Sequence, residues 1–151
     1  MTVQTFMTSP PLSLRPDDSV GAAAQQLIEN RFVNLPVADR DGTYLGLFGV
    51  FDLLALVLPK VALEESAGLD LGFLKDDVSS IQDLLEEARF FKVGDHLSKA
   101  TPVLHPESGT LEAVLALYRS RNTLAVVEKE SRKLVGMVSY WDALRALMRQ
   151  R

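Results

Sequence analysis

Few side chains in this sequence are equipped for chemistry, and their spacing limits what they can do. There is no cysteine, which removes thiol nucleophiles, disulfides, thiolate zinc sites and iron–sulfur ligation. The two histidines, His96 and His105, are nine residues apart, which is not a metal-ligand spacing, so a solvated or phosphate-adjacent place suits them better. Lys99 is a candidate phosphate contact, with an ordinary surface lysine as the plain alternative. No phosphate-binding Gly-x-x-x-x-Gly-Lys-Ser/Thr loop, His-Glu-x-x-His pair or Gly-x-Ser-x-Gly elbow is present, so the sequence predicts no catalytic residues and no enzyme. What remains is two acids in comparable settings. Ser139-Tyr140-Trp141-Asp142 places a hydroxyl three residues before a carboxylate, which by itself reads as a helix-capping pair. Asp52 follows Gly49 at the same spacing and lacks the hydroxyl.

Those acids lie ninety residues apart, and the same offset relates Pro16 to Pro106 and Gly46 to Gly136. Around these anchors Leu14 matches Leu104, Phe48 matches Val138, Phe51 matches Trp141 and Leu54 matches Leu144. The chain is therefore an internal repeat. Each copy reads as a short extended piece, an amphipathic helix, two strands joined by a polar turn, and a closing helix. In the first copy the helix runs from Ser19, as N-cap, to Asn30, with Val20, Ala23, Ala24, Leu27 and Ile28 at helical spacing. The strands are Asn34 to Ala38 and Tyr44 to Val50, joined through Asp41-Gly42. In the second copy the helix begins near Thr110, and the strands are Leu124 to Glu128 and Leu134 to Ser139. Closing helices start near Val50 and Tyr140. Between the copies, Val78, Ile81, Leu84, Leu85 and Ala88 recur at helical spacing, with Asp77 as a candidate cap, while 60–76 is open to reading as a loop or a short helix.

One unit of about 50 residues buries a single sheet face and is marginal alone, whereas two units packed sheet to sheet share a core. The expectation is one structural domain. Sixteen Lys and Arg against 20 Asp and Glu leave a net charge of −4, which argues against a broad basic surface for nucleic acid or anionic membrane. The longest apolar run, Leu53 to Leu58, is far short of the roughly 20 residues a membrane span needs, and the N-terminus lacks a secretory pattern. A cytoplasmic protein is expected.

In the order and spacing of these motifs the chain resembles a tandem pair of cystathionine-β-synthase (CBS) domains, a Bateman module. The resemblance rests on Leu35-Pro36-Val37-Ala38-Asp39 and Gly46-Leu47-Phe48-Gly49-Val50-Phe51-Asp52 in one copy. In the other it rests on Leu124-Ala125-Val126-Val127 and Gly136-Met137-Val138-Ser139-Tyr140-Trp141-Asp142. It implies a mixed α/β fold of the α+β kind, two βαββα repeats packed sheet to sheet with pseudo-twofold symmetry and an extra helix in the connector. The expected divisions are 1–151 as one module, 7–58 and 94–149 as the repeats, and 59–93 as a partly helical connector.

The resemblance further implies a regulatory module that senses an adenine-containing ligand, such as AMP, ADP, ATP or S-adenosylmethionine, in a cleft between repeats. It also implies a homodimer and a regulated partner protein. Carried over residue by residue, one cleft takes Thr8, Leu12, Ser13, Val33, Ser139 and Asp142, and is favoured because its Ser-x-x-Asp motif is complete. The other takes Asp52, Ser98, Pro102, Val103 and Asn122, with Gly49 weakening the motif. In each the acid is expected to accept the ribose hydroxyls. Phe51 and Trp141 are open to either packing or base stacking. The competing reading is a scaffold that has lost its ligand and serves dimerisation alone.

Overall fold

The structure, a computed structural model, describes residues 1–58, 78–99 and 101–149. The expected stretch 60–76 and the Asp77 cap lie outside the described residues. Helix α1, Val20–Asn30, starts where Ser19 Oγ accepts the Ala22 N–H at 3.1 Å, buries Val20, Ala23 and Leu27 on one side, and ends at a left-handed Arg31. Strands β1, Asn34–Ala38, and β2, Tyr44–Gly49, pair antiparallel with Asn34 opposite Gly49. Their turn is built by Asp39, whose Oδ1 accepts the N–H groups of Asp41 and Thr43 at 2.9 Å, while Gly42 supplies a φ of 86°. Helix α2, Val50–Val57, follows directly. After helix α3, Val78–Ala88, the pattern repeats as α4, Thr110–Ser120, β3, Leu124–Val127, β4, Leu134–Val138, and α5, Tyr140–Arg149. Strands β2, β3 and β4 each stop one residue earlier than expected, because Val50 already belongs to α2, Ser139 caps α5 and Glu128 turns into the hairpin loop.

The extended piece expected before each first helix proves to be a single parallel rung. Leu14 joins β1 opposite Val37, and Leu104 joins β3 opposite Val126. Ahead of each lies a 3₁₀ turn, Val3–Thr5 and Val93–Asp95, again at the ninety-residue offset. These turns are exchanged between the repeats. Val93 is buried with Leu14, Val20, Leu27, Leu35 and Phe48 in the first core, and Val3 is buried with Leu104, Leu117, Leu124 and Val138 in the second. Backbone bonds hold the exchange: Val93 N–H donates to Asp18 O at 2.9 Å, and Val3 N–H to Ser108 O at 2.8 Å.

The two sheets meet through Leu47, Ala125 and Val127, flanked by Tyr44, Val103 and Leu134. At the hairpin ends Tyr44 N–H donates to Arg132 O at 3.0 Å and Leu134 N–H to Gly42 O at 2.9 Å. Deeper in, the buried Asn34 accepts the Thr123 N–H on Oδ1 at 3.0 Å, a side-chain bond that crosses between repeats.

Because each core contains a residue from the other repeat, both should unfold together. Val93→Ala removes buried apolar surface from the first core and should lower stability by about 1.5–3 kcal/mol. In urea, Trp141 fluorescence, reporting on the second repeat, and circular dichroism should shift by the same amount. Two separated transitions would show the cores to be independent.

Candidate functional site

The exchange places a segment of each repeat across a strand of the other, beside that strand's acid. Thr8 bridges Met137 of β4, with Thr8 N–H donating to Met137 O at 2.8 Å and Met137 N–H to Thr8 O at 3.0 Å. Ser98 bridges Leu47 of β2 in the same way, at 2.8 and 3.0 Å. The glycines at the shared motif permit this approach. A Cβ on Gly136 would lie 2.6 Å from Met7 Sδ, and one on Gly46 would lie 3.0 Å from Ser98 O.

At the second-repeat acid, Ser139, Asp142 and Thr8 come together as expected, and they satisfy one another. Asp142 Oδ2 accepts from the Ser139 N–H at 2.9 Å, from Ser139 Oγ at 3.1 Å and from Thr8 Oγ1 at 3.4 Å. Asp142 N–H donates back to Ser139 Oγ at 3.2 Å, completing a capping box at the start of α5. Arg145 stands 3.5 Å from Oδ1. The remaining residues expected here lie elsewhere. Between Thr8 and Leu14 the chain crosses from β4 to β1, which carries Leu12 to the surface and Ser13 into a separate small cavity with Arg15 and Arg40. The cavity that does touch Asp142, of about 510 Å³, lies on the outer flank of α5 against Thr5, Phe6 and Met7, with Arg145 and Arg149 on its wall.

Around the first-repeat acid the arrangement is different. A cavity of about 210 Å³ is lined from the first repeat by Val33, Asn34, Leu47, Gly49, Phe51 and Asp52, and from the second side by Ser98, Thr101, Ser120, Arg121 and Asn122. Val33, expected beside Asp142, is here instead, because its carbonyl accepts the Val50 N–H at 2.8 Å and is tied to the start of α2. Ser98 and Asn122 line the cavity as expected. Pro102 is exposed outside it, and Val103 packs into the contact between sheets, so Thr101 occupies the place expected for them. Asn34, Ser120 and Arg121 were not singled out by sequence. The signal for Arg121 was present, since Arg31 lies at the same repeat position and both end their helices in the left-handed region, with φ of 55° and 60°.

Asp52 accepts a single hydrogen bond from described residues, from the Gly49 N–H at 2.9 Å. Burial pushes its carboxyl above the ordinary range, opposed by that N–H and by the nearby His96, whose ring stacks on Phe91 with centroids 5.4 Å apart. The carboxylate therefore faces the cavity with acceptor capacity to spare. Gly49 is required by packing: a Cβ there would lie 2.5 Å from Val33 O and 2.6 Å from Asn34 Cβ. Among the described residues no group of three or more His, Cys, Asp or Glu is placed to hold a metal ion.

Comparison with known proteins gives these positions a context. A CBS domain model matches residues 3–59 and 93–149. CBSX1 and CBSX2 of Arabidopsis thaliana, both chloroplastic CBS domain-containing proteins, are 29% identical over 152 residues and 30% identical over 154 residues, each covering 97% of this chain. The chain spans 64% and 63% of their respective lengths, less than two thirds of each curated relative. A crystal structure of CBSX2 in complex with AMP superposes with a TM-score of 0.71 at 26% identity, covering 98% of this chain and 96% of that one.

Restoring the hydroxyl motif at the first acid should harm the protein. Gly49→Ser forces a side chain against Val33 and Asn34 and should cost about 1–3 kcal/mol. Thermal melts would check this, and an unchanged or raised melting temperature would contradict the steric account.

Proposed function

The chain belongs to the CBS-domain family, and on that premise we propose that it is a regulatory module that binds an adenine-containing ligand in the cavity beside Asp52. The observation that carries this is the Asp52 carboxylate, which accepts one hydrogen bond from the described residues and faces a cavity assembled from both repeats. A carboxylate with acceptor capacity to spare accepts both vicinal hydroxyls of a ribose, and Val33 and Phe51 offer the apolar surroundings a purine uses. At about 210 Å³ the cavity is below the usual ligand range of about 300–1,000 Å³, so the ribose end is buried and the base reaches the rim, where Phe51 is 69% exposed. The neighbouring structure of CBSX2 with AMP supports this ligand class. The complete Ser-x-x-Asp motif favours Asp142, but its Oδ2 already receives three donors and Arg145 stands 3.5 Å from its Oδ1. Asp52 is the more open acceptor.

Occupancy is transmitted by docking, and the second repeat carries a surface suited to it. Leu111, Leu115 and Tyr118 on α4 and Trp141, Leu144, Leu147 and Met148 on α5 are exposed, forming an apolar face across two helices that pack together. On the first repeat α3 packs against α2, whereas no described helix covers the α4–α5 face in that way. A contiguous apolar face marks an interaction site, and a second copy of the chain meeting it about a twofold axis covers both at once. No described helix is long and apolar enough to cross a membrane.

Asp52→Asn keeps an acceptor for the Gly49 N–H and removes the charge. Adenosine affinity should fall about ten- to hundredfold, the loss of about 1.5–3 kcal/mol expected for a charged hydrogen bond. The melting temperature at neutral pH should not fall, because burial raises the folded pKa of Asp52 and its ionised form therefore weakens the fold above that pKa. Ribose hydroxyls need the ionised acid, so wild-type affinity should drop as pH falls through the raised pKa, and the variant should lose that dependence. Unchanged affinity in the variant would move the site away from Asp52. Separately, Leu144→Glu should convert a dimer to a monomer in sedimentation velocity, and a wild type that is monomeric at high concentration would refute the docking face.

A further inference from the structure

We infer that Asn34 reads the ligand together with Asp52: the Asn34 amide nitrogen and the Asp52 carboxylate grip one sugar hydroxyl between them, so the cavity selects a ribonucleoside over its deoxy counterpart. This rests on the ribose role proposed for Asp52 and adds a donor to that acceptor. Asn34 is only 3% exposed, yet it lines the cavity. The Thr123 N–H bonded to it at 3.0 Å fixes which end of the amide is Oδ1, and leaves Nδ2 as the other.

That nitrogen donates to no described residue. Among the described residues no enclosed polar side-chain atom lacks a partner, so Nδ2 is not sealed in protein and opens on the cavity that Asn34 lines. Asn122, the other asparagine on the wall, spends its Nδ2 on Ser120 O at 3.1 Å. Gly49 brings the donor and the acceptor together. Its N–H is bonded to Asp52 at 2.9 Å, and across the β1–β2 pair it faces Asn34, whose Cβ lies 2.6 Å from where a Cβ on residue 49 would stand. An ionised carboxylate only accepts, an amide nitrogen only donates, and a hydroxyl does both, so one hydroxyl satisfies the pair and a hydrogen in its place satisfies neither. A site built this way rejects the analogue that lacks the hydroxyl, because its own polar groups are left unpaired. A hydroxyl seated on Nδ2 also holds the amide in the orientation whose Oδ1 keeps the Thr123 N–H, so the sugar is felt at a bond between the repeats.

Calorimetric titration of the wild type and Asn34→Ala with adenosine, 2′-deoxyadenosine and 3′-deoxyadenosine tests this. In the wild type the analogue lacking the gripped hydroxyl should bind about ten- to hundredfold more weakly than adenosine. In Asn34→Ala that gap should narrow about fivefold or more, whereas a general loosening of the fold would weaken all three ligands alike and leave the ratios as they were. If Asn34→Ala does not fold, because the Thr123 N–H has lost its acceptor, hydrogen exchange in the wild type decides: at equal occupancy, adenosine should slow exchange of the Thr123 amide more than the weaker analogue does. Gaps that survive unchanged in Asn34→Ala or, where that variant does not fold, Thr123 exchange indifferent to the sugar would overturn the role of Asn34 and leave the Asp52 reading standing. Wild type that binds no adenosine, or binds both deoxy analogues as tightly as adenosine, would overturn both.

Discussion

The rest of the structure depends on the exchange of two valines. Val3 fills the second core and Val93 the first, each carried there by a 3₁₀ turn whose backbone is bonded to the loop before the other repeat's first helix. A hairpin under two helices has too little apolar surface to close alone, and the borrowed turn completes it. Once the turn is seated, the residues that follow it must lie across the other repeat's second strand, as Thr8 does on Met137 and Ser98 on Leu47. The clefts follow from the same exchange that completes the cores.

Symmetry in the backbone does not make the two clefts alike in chemistry. Where the second repeat has Ser139 the first has Gly49, and the reason lies opposite it in the β1–β2 pair. Asn34 faces Gly49 and spends its side-chain oxygen on the Thr123 N–H of the other repeat. Leaving that buried N–H unpaired would cost about 1–3 kcal/mol, so Asn34 stays where it is and no side chain fits at position 49. With no serine to engage it, Asp52 accepts one hydrogen bond from the described residues, while Asp142 Oδ2 accepts three, two of them within its own helix cap. A bond that joins the repeats thus decides which acid is open.

Much of this was legible in the sequence because it is written in spacing. The ninety-residue offset, the Ser19 cap, both hairpins and the starts of α2 and α5 follow from periodicity and turn chemistry. The exchange of turns was not, since a buried valine near a chain end looks like any other apolar residue until its partner core is known. Site residues divide along the same line. Thr8, Ser139 and Asp142, and separately Asp52, Ser98 and Asn122, were placed by motif and came together. Leu12, Ser13, Pro102 and Val103 went astray because the chain leaves the strand within a few residues of the bridge, a path that residue types do not encode. Val33 was lost to a single backbone bond, from Val50.

One residue touches both the Asp52 cavity and the exposed apolar face of α4 and α5. Arg121 lines the Asp52 cavity, yet it is the last residue of the α4 turn, and its guanidinium rests over Tyr118, which is 68% exposed on the apolar face. The second repeat therefore contributes to the first-repeat cavity a side chain that also packs on its own exposed apolar face.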